Sequence, residues 1–138
     1  FMALGASAVQ MGSIFVPTEE CDASVEFKQV YLNAHWEDIR IIQSPVGMPG
    51  RAFDGEFIRN VAEGKEKPRS CPFHCIKTCD YTKSPYCIIK ALYNAARGNM
   101  KKGYAFAGGN AYLSDRIRSV KEVIEKLKAD FFLSKALL

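Results

Sequence analysis

Apolar residues near the start of the chain form short continuous runs. One run covers residues 7–11 between Gly5 and Gly12, and its length is typical of a short buried strand. Residues 1–6 before it are predicted to be the end of a helix, because a glycine directly after a helix is a common stop. A second apolar stretch lies within residues 37–43 and predicts another short strand.

Later segments place apolar residues at helical spacing, with polar residues opposite. Each of the four segments begins with a capping signal. These are Thr18 and Asp54 as N-caps, Ser84-Pro85 as N-cap and first helical residue, and Ser119 with Glu122 as a capping box. The four predicted helices cover about residues 19–34, 54–62 (ended by Gly64), 84–97 (ended by Gly98) and 119–131. Val25, Val30 and Tyr31 are expected on one face of the first.

The segments between these elements are predicted to be irregular. Residues 44–51 are rich in turn formers and are expected to form a loop. Residues 65–83 are basic and contain cysteines, and residues 101–110 are rich in glycine. One confident strand is too few for a self-contained α/β domain, because a parallel strand needs neighbours that bury it. The chain is therefore expected to be a segment of an α/β fold, or to need a partner.

Charge is distributed unevenly around a net value of +4. Residues 1–64 carry 4 Lys or Arg and 9 Asp or Glu, whereas residues 65–138 carry 15 and 6. A basic half suits an acidic partner or a phosphate-bearing ligand, and it is equally compatible with a solvated surface. The sequence contains no nucleic-acid motif, and neither a signal peptide nor a membrane span is predicted. Five cysteines without an export signal indicate a reducing, cytoplasmic location.

The turn after the first predicted strand is the most informative chemical feature. Gly12 and Ser13 stand at the carboxyl end of residues 7–11, where two backbone amides and a hydroxyl could approach an anion. Phosphate sites in (β/α)₈ barrels often form after the seventh and eighth strands. On its own the turn is also compatible with an ordinary strand end.

The surroundings of this turn resemble a known family. Residues 4–15 (LGASAVQMGSIF), followed by Thr18-Glu19-Glu20, resemble the stretch through strand eight of the nitronate monooxygenase and 2-nitropropane dioxygenase family, which related flavin-dependent enoyl-acyl-carrier-protein (enoyl-ACP) reductases share. Residues 45–52 (PVGMPGRA) resemble the Gly-Arg-Pro-Ala-Arg loop of the family, and residues 106–127 resemble its terminal glycine-rich turn and helix.

The resemblance implies an α/β fold in which residues 1–138 are the C-terminal segment of a TIM (β/α)₈ barrel, mostly helical in this segment. Residues 1–64 would contain strand eight and the following helices, and residues 65–138 the cysteine-containing loop and the C-terminal helices. It further implies FMN as cofactor, with Gln10, Met11, Gly12 and Ser13 at its phosphate and ribityl end. Ser13 replaces the usual threonine and keeps the hydroxyl. No catalytic residue is assigned, because neither His35 nor His74 matches the catalytic histidine of the family.

Four cysteines form the second chemical feature. Cys71, Cys75, Cys79 and Cys87 lie within 17 residues, a density that could hold Zn²⁺ or an iron–sulfur cluster. Their spacing is neither a standard zinc ribbon nor the usual ferredoxin run, so ordinary thiols are the alternative. Cys21 is expected on the core side of the first helix.

Other residues allow two interpretations each. Arg51 could bind a phosphate or carboxylate or could fix its loop, and Trp36 is predicted to be a packing anchor. Tyr104, Phe106 and Tyr112 could cover a flavin edge or could pack in the core. The carboxylates that might be mistaken for catalytic groups lie at turns and helix starts, where such groups act as caps; they are Glu37, Asp38, Asp80 and Asp115.

Three functions follow from these expectations. The first is an FMN-dependent oxidation of a nitronate with O₂, not carried out by the segment alone. The second is flavin-dependent enoyl-ACP reduction, and the third is a non-catalytic module stabilised by a metal or cluster. The expected partners are a small-molecule substrate and the remainder of the barrel or another copy of the chain.

Overall fold

A computed structural model describes residues 1, 4–77 and 79–136. This part of the chain contains four α-helices and one two-stranded sheet. The elements in chain order are α1 (Val25–Leu32), β1 (Ile39–Gln43), β2 (Pro49–Phe53), α2 (Glu56–Ala62), α3 (Ile88–Ala96) and α4 (Val120–Ala136). Short 3-10 turns lie at Ser13–Phe15, Trp36–Asp38, Met100–Lys102 and Ala111–Leu113.

The sheet is an antiparallel hairpin in which Ile39 lies opposite Phe53. Residues 105–107 continue it beyond β2: the Phe53 amide donates to the Ala105 carbonyl at 3.1 Å, and the Ala107 amide donates to the Arg51 carbonyl at 2.9 Å. This pairing ties the glycine-rich segment, which is far away in sequence, to the middle of the fold.

The second strand corrects the prediction of a loop over residues 44–51. Pro49 begins the strand, a position at which proline costs no ladder hydrogen bond. Gly50 is required for packing, because a Cβ there would lie 2.6 Å from Cε1 of Phe106. Two turn-forming residues, Pro49 and Gly50, therefore lie in a strand, and the loop is confined to residues 44–48.

Two apolar clusters pack around the hairpin. The first joins it to α2 and α3; its buried members are Ile42, Ala52, Phe57, Tyr86, Ala91 and Tyr104. Its two tyrosines meet inside it, where the Tyr86 hydroxyl donates to the Tyr104 hydroxyl at 3.1 Å. The second lies under α1; its buried members are Tyr31, Phe53, Ala105, Ala107 and Ala111.

The first helix begins later than predicted. Its N-cap is Ser24, whose hydroxyl accepts from the Phe27 amide at 3.3 Å. Thr18 is instead buried, and its hydroxyl donates to the Phe15 carbonyl at 2.7 Å. Thr18 pairs with Arg118 in a parallel bridge, and Pro17, Glu19 and Glu20 beside it lie in turns, so residues 17–20 are not helical. Cys21 consequently lies half-buried in a loop, not on the helix.

The predicted strand over residues 7–11 is not formed as a strand. No sheet partner for it exists among residues 1, 4–77 and 79–136, and Val9 and Met11 are exposed. Backbone groups of an isolated strand have nothing to pair with, so the segment stays irregular. The helix end predicted before it includes Met2 and Ala3, which lie outside the described residues; Gly5 after it has a positive φ of 90°.

Helices α2 and α4 match their predictions closely, whereas α3 begins at Ile88 rather than after Ser84. Ser84 is buried, and its hydroxyl lies 3.6 Å from the Cys79 sulfur. At α4 half of the capping box is present, because the Ser119 hydroxyl accepts from the Glu122 amide at 3.2 Å. Trp36 is 67% exposed, so the prediction of a packing anchor was wrong.

Candidate functional site

The turn at Gly12 presents two backbone amides that have no acceptor among the described residues. Gly12 is the N-cap of the 3-10 turn Ser13–Phe15, and its carbonyl accepts from the Phe15 amide at 3.0 Å. No side chain caps the turn. Within the described part of the chain, no carbonyl or side chain accepts from the Gly12 or Ser13 amide. These two donors are therefore available to a ligand.

The space over this turn is open. A Cβ built on Gly12 would have no heavy atom of the described residues within 4 Å, apart from its chain neighbours. Its φ of −119° is one that any residue adopts, so neither packing nor backbone conformation requires glycine at this position. A ligand that approaches the backbone closely would explain a glycine here, because a Cβ would hold the ligand away.

A glycine-rich turn lies against the same place. The Gly108 amide donates to the Ser13 hydroxyl oxygen at 2.8 Å, across 95 residues of sequence. A Cβ on Gly108 would lie 3.3 Å from that oxygen, and one on Gly109 would lie 3.9 Å from Nη1 of Arg51. Because the Ser13 oxygen accepts from Gly108, its hydrogen is left to donate elsewhere.

Together these groups have the chemistry of an anion site. Two free amides, one hydroxyl and one guanidinium are donors, and a phosphate oxygen is the acceptor that such a set suits. Of the residues predicted at the flavin phosphate, Gln10, Met11 and Gly12 are exposed and Ser13 is half-buried. The role of these four residues at the flavin phosphate stays a prediction. Arg51 was predicted either to bind a phosphate or carboxylate or to fix its loop, and the fold brings it to the 108–109 turn beside Ser13. The contact of that turn with Ser13 was not predicted, since 95 residues separate Ser13 from Gly108.

The four cysteines do not form a metal site. No group of three or more His, Cys, Asp or Glu residues is placed to hold a metal ion in the described residues. Cys79 instead neighbours Ser84, Cys87 precedes α3 as its N-cap, and Cys75 is exposed. The segment is not a regular helix, so Cys71, Cys75 and Cys79 do not share one face. The prediction of zinc or a cluster at these residues is not supported, and the metal-stabilised module loses its basis.

Two of these carboxylates, Asp80 and Asp38, have the capping roles expected of them. Asp80 accepts from the Thr82 amide at 3.1 Å and from its hydroxyl at 2.6 Å, and these bonds lower the pKa of Asp80. A hydrogen bond and ion pair with Arg118 lower the pKa of Asp115. The Asp38 carboxylate accepts from the His35 amide at 2.7 Å.

The aromatic residues considered for a flavin edge divide into two groups. Tyr104 is buried in the first apolar cluster, where burial raises its pKa. Phe106 is 38% exposed and lies over Gly50, and Tyr112 is half-buried. Packing accounts for Tyr104, whereas Phe106 and Tyr112 keep some of their surface accessible.

A basic groove of about 570 Å³ lies on another part of the surface, between α3 and residues 66–73. Four of its lining residues are cationic: Lys67, Arg69, Lys90 and Lys102. Glu66 is its one lining carboxylate, and it pairs with Lys102 at 3.5 Å. The groove therefore has a net positive charge.

No helix among the described residues is both long enough and apolar enough to cross a membrane.

Comparisons with known proteins agree on the kind of protein to which this fold and turn belong. The structure is similar to FabK from Thermotoga maritima, with a TM-score of 0.74 and 27% identity over 98% of this chain and 40% of that one. It is equally similar to a methionine-to-alanine mutant of that protein, with 26% identity over 98% of this chain and 37% of the mutant chain. A search of curated proteins found no match.

The family model described as nitronate monooxygenase matches residues 1–130. The chain belongs to this family, whose members are oxidoreductase enzymes. It spans about two fifths of the length of FabK. Family and neighbours together imply part of a TIM-barrel protein, and in the described residues that part consists of four helices and one hairpin.

Proposed function

We propose that this chain provides the phosphate-binding end of an FMN site in an oxidoreductase that oxidises nitronates with O₂. The observation that carries the proposal is the pair of free amides at Gly12 and Ser13 beneath open space. Membership of the nitronate monooxygenase family supports the same conclusion.

The residues of the turn would bind and orient the cofactor. The Gly12 and Ser13 amides and the Ser13 hydroxyl would donate to phosphate oxygens, and the absence of a Cβ at Gly12 would let the phosphate reach the backbone. Gln10 and Met11, which precede the turn, would line the ribityl chain. When bound, the flavin itself supplies the transfer of electrons between substrate and O₂.

This assignment gives the chain a binding role without a catalytic residue. Its two histidines, His35 and His74, are both exposed, and neither forms a hydrogen bond with Gly12 or Ser13 in the described structure. General-base chemistry would therefore be expected from parts of the barrel that the chain does not include. We expect residues 1–138 alone to be inactive toward nitronates.

Flavin content tests the cofactor proposal. The protein that contains this turn is expected to purify with FMN, visible as the two absorption bands of oxidised flavin and identified by chromatography after heat release. Ser13→Ala is expected to lower the bound fraction, while Ser114→Ala, a half-buried serine on another turn, leaves it unchanged. Protein that cannot be loaded with FMN would overturn the proposal.

A second candidate is reduction of an enoyl thioester carried on an acyl carrier protein, as in FabK, an enoyl-ACP reductase of the same family. The basic groove favours it, because acidic carrier proteins suit a surface with Lys67, Arg69 and Lys90. The groove lies apart from the flavin turn, so it would bind the protein carrier rather than the reacting acyl group.

Rapid-mixing kinetics separate the two candidates. Nitronate oxidation predicts that a nitronate reduces the bound flavin under anaerobic conditions and that O₂ restores it. Enoyl reduction predicts that NAD(P)H reduces the flavin and that a crotonyl thioester reoxidises it. Reoxidation by the thioester together with inertness toward nitronates would replace the first candidate by the second.

A further inference from the structure

We infer that Arg51 is a binding residue for the phosphate of the flavin, acting from β2 across the glycine turn to Ser13. The inference rests on the proposed FMN site and adds to it a residue from a different element. It is carried by the position of the guanidinium, the rigidity of its strand and the lack of an acidic partner for it among residues 1, 4–77 and 79–136.

The position of Arg51 follows from its strand. Its side chain reaches the turn at Gly109, where a Cβ would lie 3.9 Å from Nη1. The adjoining Gly108 amide donates to the Ser13 hydroxyl oxygen at 2.8 Å. The guanidinium and the Ser13 hydroxyl therefore flank the same two-glycine turn.

The strand that carries Arg51 is paired on both sides. In the hairpin it lies opposite Ile41, and on the other edge its carbonyl accepts from the Ala107 amide at 2.9 Å. An arginine on a strand that is paired on both sides loses less freedom on binding than one on a loop. The backbone that carries Arg51 is thus fixed, and its exposed side chain is accessible to a ligand.

The charge of Arg51 is not used inside the described part of the chain. Other arginines form ion pairs with carboxylates, among them Arg40 with Asp54 at 3.1 Å and Arg118 with Asp115 at 2.5 Å. Arg51 forms none with any described residue. A guanidinium matches two phosphate oxygens at once, which a dianionic FMN phosphate offers.

Paired titrations with FMN and riboflavin test this role, since riboflavin has the same ring and ribityl chain but no phosphate. The apoprotein, prepared by removing the flavin, is titrated with each ligand and followed by flavin fluorescence. Arg51→Gln is expected to weaken FMN about 10- to 100-fold, the range for a lost hydrogen bond to a charged group. The affinity of Arg51→Gln for riboflavin should stay unchanged. The FMN affinity of Arg51→Lys should lie between those of wild type and Arg51→Gln.

The controls make each outcome decisive. Arg69→Gln, in the separate basic groove, should change neither affinity. Equal FMN affinity in wild type and Arg51→Gln would overturn the inference and leave the FMN site standing. Equal losses for FMN and riboflavin would also overturn it, because they would show a structural role. Failure of the wild-type protein to bind FMN would overturn the proposed function and this inference together.

Discussion

At the scale of single residues, Tyr31 shows how burial and one hydrogen bond couple helix and sheet. Its hydroxyl donates to the Phe106 carbonyl at 2.6 Å, and its ring packs edge-on against Phe53 at 4.9 Å between centroids. Burial, with a smaller electrostatic contribution from the nearby Cys21, raises the pKa of Tyr31 to about 12. The neutral hydroxyl is therefore the form that the fold requires.

Tyr31→Phe is expected to lower the free energy of unfolding by about 1 kcal/mol at neutral pH, because the Phe106 carbonyl loses its donor. The contribution of Tyr31 is fully present below the unfolded pKa of about 10. It is lost as the pH rises from there to about 12, since the unfolded chain releases the proton first. Urea unfolding at several alkaline pH values measures both effects.

Tyr93→Phe is the matched control, because Tyr93 is 60% exposed on α3. It should change stability by less than about 0.5 kcal/mol. A loss in Tyr31→Phe no larger than that in Tyr93→Phe, with the same alkaline slope as wild type, would contradict the role assigned to the buried hydroxyl.

At the scale of elements, segment 17–20 fixes the start of α4. The Glu19 amide donates to the Arg118 carbonyl at 2.9 Å, and the Glu20 carboxylate accepts from the Val120 amide at 2.9 Å. The buried Lys28 on α1 donates to the Thr18 carbonyl at 2.7 Å and so joins this segment to α1. A carboxylate from a distant segment thus caps the positive end of α4.

Glu20→Ala is expected to destabilise the protein by about 1 kcal/mol, because the Val120 amide loses its acceptor and the helix dipole loses a nearby negative charge. Thermal unfolding followed by circular dichroism measures the loss. Glu19→Ala removes the neighbouring, exposed carboxylate and should leave the melting temperature almost unchanged. Equal effects of the two substitutions would refute the capping role.

The sequence predicted elements well where the signal is local. Ser119 marked the start of α4 and Gly64 the end of α2, because a cap or a glycine acts within one helical turn. It missed β2, since Pro49 and Gly50 favour turns and only Phe106, which packs on Gly50, explains them. The contact between Ser13 and Gly108 also needs the fold, because 95 residues separate them.

At the scale of the whole molecule, the distribution of apolar surface indicates a missing neighbour. Two regions of the described chain, the first eleven residues and the end of α4, each carry several large exposed apolar side chains; they are Phe1, Leu4, Val9, Met11, Phe131, Phe132 and Leu133. Apolar patches of this kind mark interaction surfaces. We propose that the remainder of the barrel, or another copy of the chain, covers them.

Residues 1–138 produced alone are therefore expected to associate. Light scattering coupled to size-exclusion chromatography should give a mass above that of the single 15.4 kDa chain. Replacing Leu4 and Val9 with Asn should shift the population toward monomer without loss of helix content, whereas replacing the exposed Lys128 should not. A wild-type monomer at all protein concentrations would contradict the proposal.

The affinity of Gly12→Ala for FMN tests the central claim most directly. Apart from its two chain neighbours, the added methyl group meets no described atom of the chain within 4 Å, so the melting temperature should stay at the wild-type value. If the phosphate lies against this backbone, the methyl group would occupy part of the space of the phosphate. FMN should then bind at least about tenfold more weakly. A stable Gly12→Ala protein that binds FMN as tightly as wild type would show that the phosphate lies elsewhere.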